Sequence, residues 1–115
     1  GHVRGGTAQG IGTALYEQYY YDEHGQLLTT SYADYLIPTV HEMPADVRVG
    51  HVETPSPFTE YGIKGGGEGG RMGAPPALCA AIEDALRPLG VKIDAMPVTP
   101  RRLRTLIREA QGPGT

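Results

Sequence analysis

Lys64-Gly65-Gly66-Gly67-Glu68-Gly69-Gly70, running into Arg71-Met72-Gly73-Ala74-Pro75-Pro76 and then a helical pattern, is the stretch around which the chain is organised. It sets one carboxylate, Glu68, among five glycines and just ahead of a helix, where backbone can approach a ligand that side chains would otherwise block. Ordering such a segment is costly, because glycine loses the most conformational freedom on folding. A site is one reading of it, and a flexible linker is the other.

The 115 residues suffice for one domain with a modest core. Hydrophobic residues make up 39 %, while 17 glycines and 10 prolines approach the content of irregular chains. Either the fold is loop-rich or part of its core comes from elsewhere. The start at Gly1-His2, without Met, fits the second option or a tag remnant. A net charge of −3 with interspersed signs provides no basic stripe for a phosphate backbone, which argues against nucleic-acid binding. Cys79, the single cysteine, excludes an internal disulfide and a cysteine-rich metal site within the chain. It reads as a small core residue or a reactive thiol. No apolar run has the length of a membrane span, so a cytoplasmic setting is expected.

Working outward, Ile11, Leu15 and Tyr19 recur at four-residue steps and predict a helix over about 7–20. Gly10 and Gly12 weaken it unless close backbone packing requires them there. Gln9 can offer amide donors and an acceptor to a polar ligand, or serve as a surface or capping residue. A turn follows at 21–26, with Gly25 supplying positive φ and His24 at its tip. Residues 27–36 and 47–52 read as strands, ended by Pro38 and Pro55. His51 in the second has no partner at ligand spacing. Beyond the glycine loop, Pro75-Pro76 opens a helix whose stripe is Leu78, Ile82, Ala85, Leu86 and Leu89, closed by Gly90. Residues 91–96 are a short strand or an extended connection. Thr99-Pro100 caps a last helix with Leu103, Leu106 and Ile107 inward, and a disordered tail is expected from about residue 111. The expected fold class is α+β (mixed α/β), loop-rich, with short strands and about three helices, in a single unit over 1–115.

The phosphate-cradle templates fail on spacing. Lys64 precedes the glycines and no Ser or Thr follows them, unlike a Walker loop. Gly65-x-Gly67-x-x-Gly70 meets a dinucleotide fingerprint, but Pro55 and Pro57 interrupt the strand that should lead into it. What remains is Glu68, a carboxylate whose basicity its surroundings can tune for proton abstraction.

Several motifs in order carry a resemblance. Gly5-Gly6-Thr7-Ala8-Gln9-Gly10-Ile11-Gly12, Tyr21-Asp22 with Gly25-Gln26-Leu27, Asp34-Tyr35-x-Ile37-Pro38, Glu53-Thr54-Pro55, Gly62-x-Lys64-Gly65-x-Gly67-Glu68 and Pro97-x-Thr99-Pro100 are the segments concerned. Together they resemble the C-terminal part of the molybdenum-binding large subunit of the xanthine dehydrogenase, aldehyde oxidase and carbon monoxide dehydrogenase family. The resemblance implies that Glu68 is the general base, that Gln9 hydrogen-bonds the pterin, and that Gly66 and Gly67 pass close to the metal site. Lys64 is counted with these cofactor-binding positions, and no residue of this chain is expected to ligate the metal directly. The cofactor implied is molybdenum–molybdopterin, in its cytosine dinucleotide form for a bacterial protein. Iron–sulfur and FAD groups would sit on partner subunits, and the remainder of the large subunit would complete the site. The implied reaction is hydroxylation of an aldehyde or N-heterocycle, or oxidation of CO, with the isolated chain inactive. The alternative is a non-catalytic module that docks to the rest of a subunit or associates with itself.

Overall fold

Helix α1 spans His2–Leu15 and carries Gly5, Gly6, Gly10 and Gly12, each of which costs a helix interior roughly 1 kcal/mol relative to Ala. Its first turn has no side-chain cap, so neither propensity nor capping accounts for it. Packing does. Gly6 and Gly10, four residues apart, share one face, and a methyl group built on either would meet another segment. At Gly6 it would lie 2.9 Å from the Arg71 amide nitrogen, and at Gly10 2.6 Å from Ala74 Cβ.

The segment lying on that face comprises a one-turn helix α2, Gly69–Met72, and the longer α3, Ala74–Ala85. Pro75 and Pro76 occupy the first turn of α3, where their missing N–H groups are unpaired in any helix. A 3-10 turn at Arg87–Leu89 follows, and Gly90 at φ 70° ends it in the left-handed region. The chain then runs extended back along α3. Ile93 N–H and Lys92 Nζ both donate to the Glu83 carboxylate, at 2.9 and 2.8 Å. These donors hold the acid below its usual range, the Ile93 amide first. Val98 N–H donates to Ala14 O at 2.6 Å, which brings buried Val98 to the end of α1. Helix α4, Pro100–Gln111, starts at Thr99, whose Oγ1 accepts from Arg102 N–H.

The computed structural model describes residues 1–112 and corrects the α+β expectation. The described residues are 43 % helical with 2 % strand and form no sheet. Leu27 makes one isolated antiparallel bridge to Tyr21 across the Gly25 turn, and the ladder stops there. Thr30 N–H bonds back to Leu28 O, and Ser31–Tyr35 folds into a turn with Ser31 O accepting from Asp34 and Tyr35. Residues 47–52 are extended but unpaired. A β-prone sequence needs a neighbouring strand to receive its amides, and none of the described residues supplies one. The first helix also starts five residues before the expected position, because Gly6 lies on the packed face. The disordered tail expected from about residue 111 begins within α4, and residues 113–115 lie outside the described residues.

The buried residues Ile11, Ala14, Thr29, Val91 and Val98 form a small core. The Cα radius of gyration is 18.0 Å, against about 13 Å for a compact chain of this length. The accessible surface of 8959 Å² exceeds by about 2,900 Å² the value typical of a folded monomer of this mass. Phe58 (93 % exposed) and Tyr61 (90 %) are the most exposed of the chain's large hydrophobic side chains.

South of the core, the end of α1 is fastened by Tyr35, whose hydroxyl donates to Glu17 Oε2 at 2.6 Å while its ring stacks on Tyr19 at 5.0 Å. The hydrogen bond to Glu17, then burial, then the charge of Glu17 push the Tyr35 phenol from 10.0 up to about 12. A phenol with a raised folded-state pKa stabilises fully below its unfolded value and loses that contribution as pH climbs through the folded one. Stability should therefore fall between pH 10 and about 12. The difference in alkaline unfolding between the parent and Tyr35→Phe measures this, and the variant should lack that slope.

Candidate functional site at the glycine loop

The loop enters the site through a closed turn. Ser56 N–H donates to Gly62 O at 3.0 Å and Thr59 Oγ1 to Ile63 O at 2.7 Å, while Gly62 at φ 70° lies against Pro55. Lys64 Nζ then donates to Thr54 Oγ1 at 2.6 Å. The ammonium is thus engaged in tethering the loop's entry, and the structure places Lys64 there.

At the other end, Gly70 is seated on α1: a methyl group built on it would come 2.6 Å from Val3 O. Between these two anchors the backbone is open. Methyl groups built on Gly65, Gly66, Gly67 or Gly69 would find no atom within 4 Å. A ligand can therefore approach the main chain of Gly66 and Gly67 as closely as glycine permits.

Glu68 sits where the open stretch meets α2, as its N-terminal flanking residue. Its carbonyl accepts from Arg71 N–H at 3.0 Å, and its Oε1 accepts from Arg71 Nη1 at 3.3 Å. The carboxylate is 75 % exposed, the Arg71 side chain 40 %. Gln9 is exposed on α1, on the flank of the Gly6–Gly10 face, roughly 80° round the helix from its centre. The α1–α2 packing thus holds the end of the glycine loop, with Glu68, against α1, the helix that also carries Gln9.

Three features escaped the sequence reading. Gly6 is a packing residue, Gly70 is the loop's seat, and Arg71 is the partner of Glu68. The four-residue spacing of Gly6 and Gly10 was the available signal for the first. Among the described residues no three His, Cys, Asp or Glu side chains converge as a metal site. An organic cofactor suits the arrangement better, since unobstructed main chain and a side-chain amide are what a polar ring edge needs. Molybdopterin fits that donor set. No helix among the described residues is long and apolar enough to cross a membrane.

Comparison with known proteins agrees. The model of the molybdopterin cofactor-binding domain matches residues 1–44. The nicotine 6-hydroxylase large subunit of Paenarthrobacter nicotinovorans is 46 % identical over 103 residues, covering 90 % of this chain and 12 % of that protein. The carbon monoxide dehydrogenase large chain of Hydrogenophaga pseudoflava is 35 % identical over 95 % of this chain and 13 % of its own length. A crystal structure of quinoline 2-oxidoreductase from Pseudomonas putida 86 superposes with a TM-score of 0.88 at 50 % identity, over 94 % of this chain and 14 % of that one. The chain belongs to the molybdenum-binding large-subunit family. It spans about an eighth of the length of the relatives it matches. The family fold explains the extended outline, because the same path is traced inside much larger subunits.

The two classes of glycine in the loop predict opposite outcomes. Gly70→Ala should destabilise by about 1–3 kcal/mol, since Val3 O occupies the methyl's place. Gly66→Ala meets no atom and should leave stability within about 0.5 kcal/mol. Denaturant unfolding of the two variants beside the parent checks this.

Proposed function

We propose that the chain forms the base-bearing wall of the active site in a molybdenum hydroxylase large subunit, with Glu68 as general base and Gln9 and the Gly66-Gly67 main chain as pterin contacts. The observation that carries this reading is the packing of α2 on α1, which fixes Glu68 beside unobstructed glycine backbone on the helix that carries Gln9. When bound, the molybdenum–molybdopterin group would supply the oxygen to be transferred and accept two electrons. Glu68 would accept a proton at a carboxylate oxygen, which is general-base work for a carboxylate set at the edge of an open space. Gln9 fixes the pterin edge through its amide, and the glycines let the main chain approach without a side chain intervening.

Relatives named for nicotine and quinoline chemistry are 46 % and 50 % identical, against 35 % for the named carbon monoxide dehydrogenase. This supports an aromatic N-heterocycle as substrate, attacked at an electron-poor ring carbon. Electrons would leave through iron–sulfur and flavin partners, a reading supported by relatives named as one subunit of a larger assembly, and the cofactor would be the cytosine dinucleotide form in a cytoplasmic enzyme. The excess surface supports docking to the remainder of a large subunit, without which the chain has no activity. A purely structural docking module would use the same surface but would leave the open glycines beside Glu68 without a purpose.

In the assembled enzyme, Glu68→Gln should lower kcat by about 10²–10⁴-fold with molybdenum and pterin content unchanged. Full turnover by this variant refutes the base assignment. Gln9→Ala should reduce pterin retention on dialysis.

A further inference from the structure

We infer that Arg71 is a positioning residue for Glu68, holding one carboxylate oxygen so that the other faces the open glycine stretch. This rests on the base assignment for Glu68 and extends it to a residue that the sequence motifs did not single out. Arg71 Nη1 donates to Oε1 at 3.3 Å, and among the described residues no hydrogen bond engages Oε2. The guanidinium is an effective anchor because its own backbone is fixed. The Arg71 amide nitrogen lies under Gly6, its carbonyl oxygen lies 3.1 Å from a methyl built on Gly10, and its N–H closes the turn onto Glu68 O.

A glutamate flanked by Gly67 and Gly69 otherwise has little to restrict it. Neither neighbour has a side chain to limit its torsions, and a methyl group built on either would meet no atom within 4 Å. A charge-assisted hydrogen bond from a side chain on α2, whose backbone is packed against α1, removes that freedom for the carboxylate. During the reaction Oε2 receives the proton and the carboxylate becomes a neutral acid, while Oε1 stays on the arginine, which keeps its own proton throughout. The guanidinium therefore orients the base without exchanging a proton.

An exposed ion pair contributes little to stability, so the role is separable from folding. The assembled, cofactor-loaded enzyme carrying Arg71→Met should retain its molybdenum content, thermal unfolding temperature and KM, while kcat falls about fivefold or more. Arg71→Lys, which keeps a donor and a charge, should recover most of that loss. A crystal structure of Arg71→Met should show the Glu68 carboxylate displaced or spread over several rotamers. Parent-like kcat in Arg71→Met, or a loss of turnover matched by a loss of cofactor or a lower unfolding temperature, overturns the inference. If Glu68→Gln is inactive while Arg71→Met turns over like the parent, positioning by Arg71 is wrong and the base assignment stands. If Glu68→Gln is fully active, the base assignment fails and the inference fails with it.

Discussion

Everything at the site depends on a backbone-to-backbone contact that only glycine permits. Gly6 and Gly10 on α1 meet the main chain of Arg71 and the start of α3, and Gly70 meets the carbonyl of Val3 from the other side. At Gly6 and Gly70 no side chain lies between the two backbones, and at Gly10 the neighbours are the small Ala74 Cβ, the Arg71 carbonyl and the Pro75 ring. It converts a glycine-rich helix that would be marginal alone into a platform, and it converts a loop of high conformational entropy into one with a fixed end. Glu68 acquires a defined position because it lies two residues before Gly70 and three before Arg71.

This contact also accounts for the uneven use of glycine along the loop. Gly70 is required by packing, whereas Gly65, Gly66, Gly67 and Gly69 face open space. Packing within the chain does not require glycine at those four positions. The same logic extends to the exterior. Phe58, Tyr61 and Val52 stand exposed on a segment cross-tied by its own hydrogen bonds, and the total surface far exceeds that of a self-contained domain. An area of that size matches an obligate interface, in keeping with relatives in which the matched segment is about an eighth of the polypeptide.

Part of this was legible in the sequence. The cap at Thr99, the Pro75-Pro76 start and the Gly90 stop depend on local chemistry, and local chemistry is readable. The family resemblance was legible from motif order, a signal that requires no knowledge of packing. The strands were misread because β-branched and aromatic residues at 27–36 and 47–52 report a preference that is fulfilled only with a pairing neighbour, and pairing is non-local. The helix start was misplaced for a related reason: Gly5 and Gly6 look like breakers until the surface that covers Gly6 is known.

The central claim is that the α1–α2 interlock presents Glu68 to a cofactor across the open glycines. A high-resolution structure of the assembled, cofactor-loaded enzyme tests it most directly. The account predicts a Glu68 carboxylate oxygen within about 2.6–3.2 Å of an oxygen at the molybdenum, with the pterin edge against Gln9. A Glu68 side chain turned to solvent, with another residue in hydrogen-bond reach of that oxygen, would contradict it.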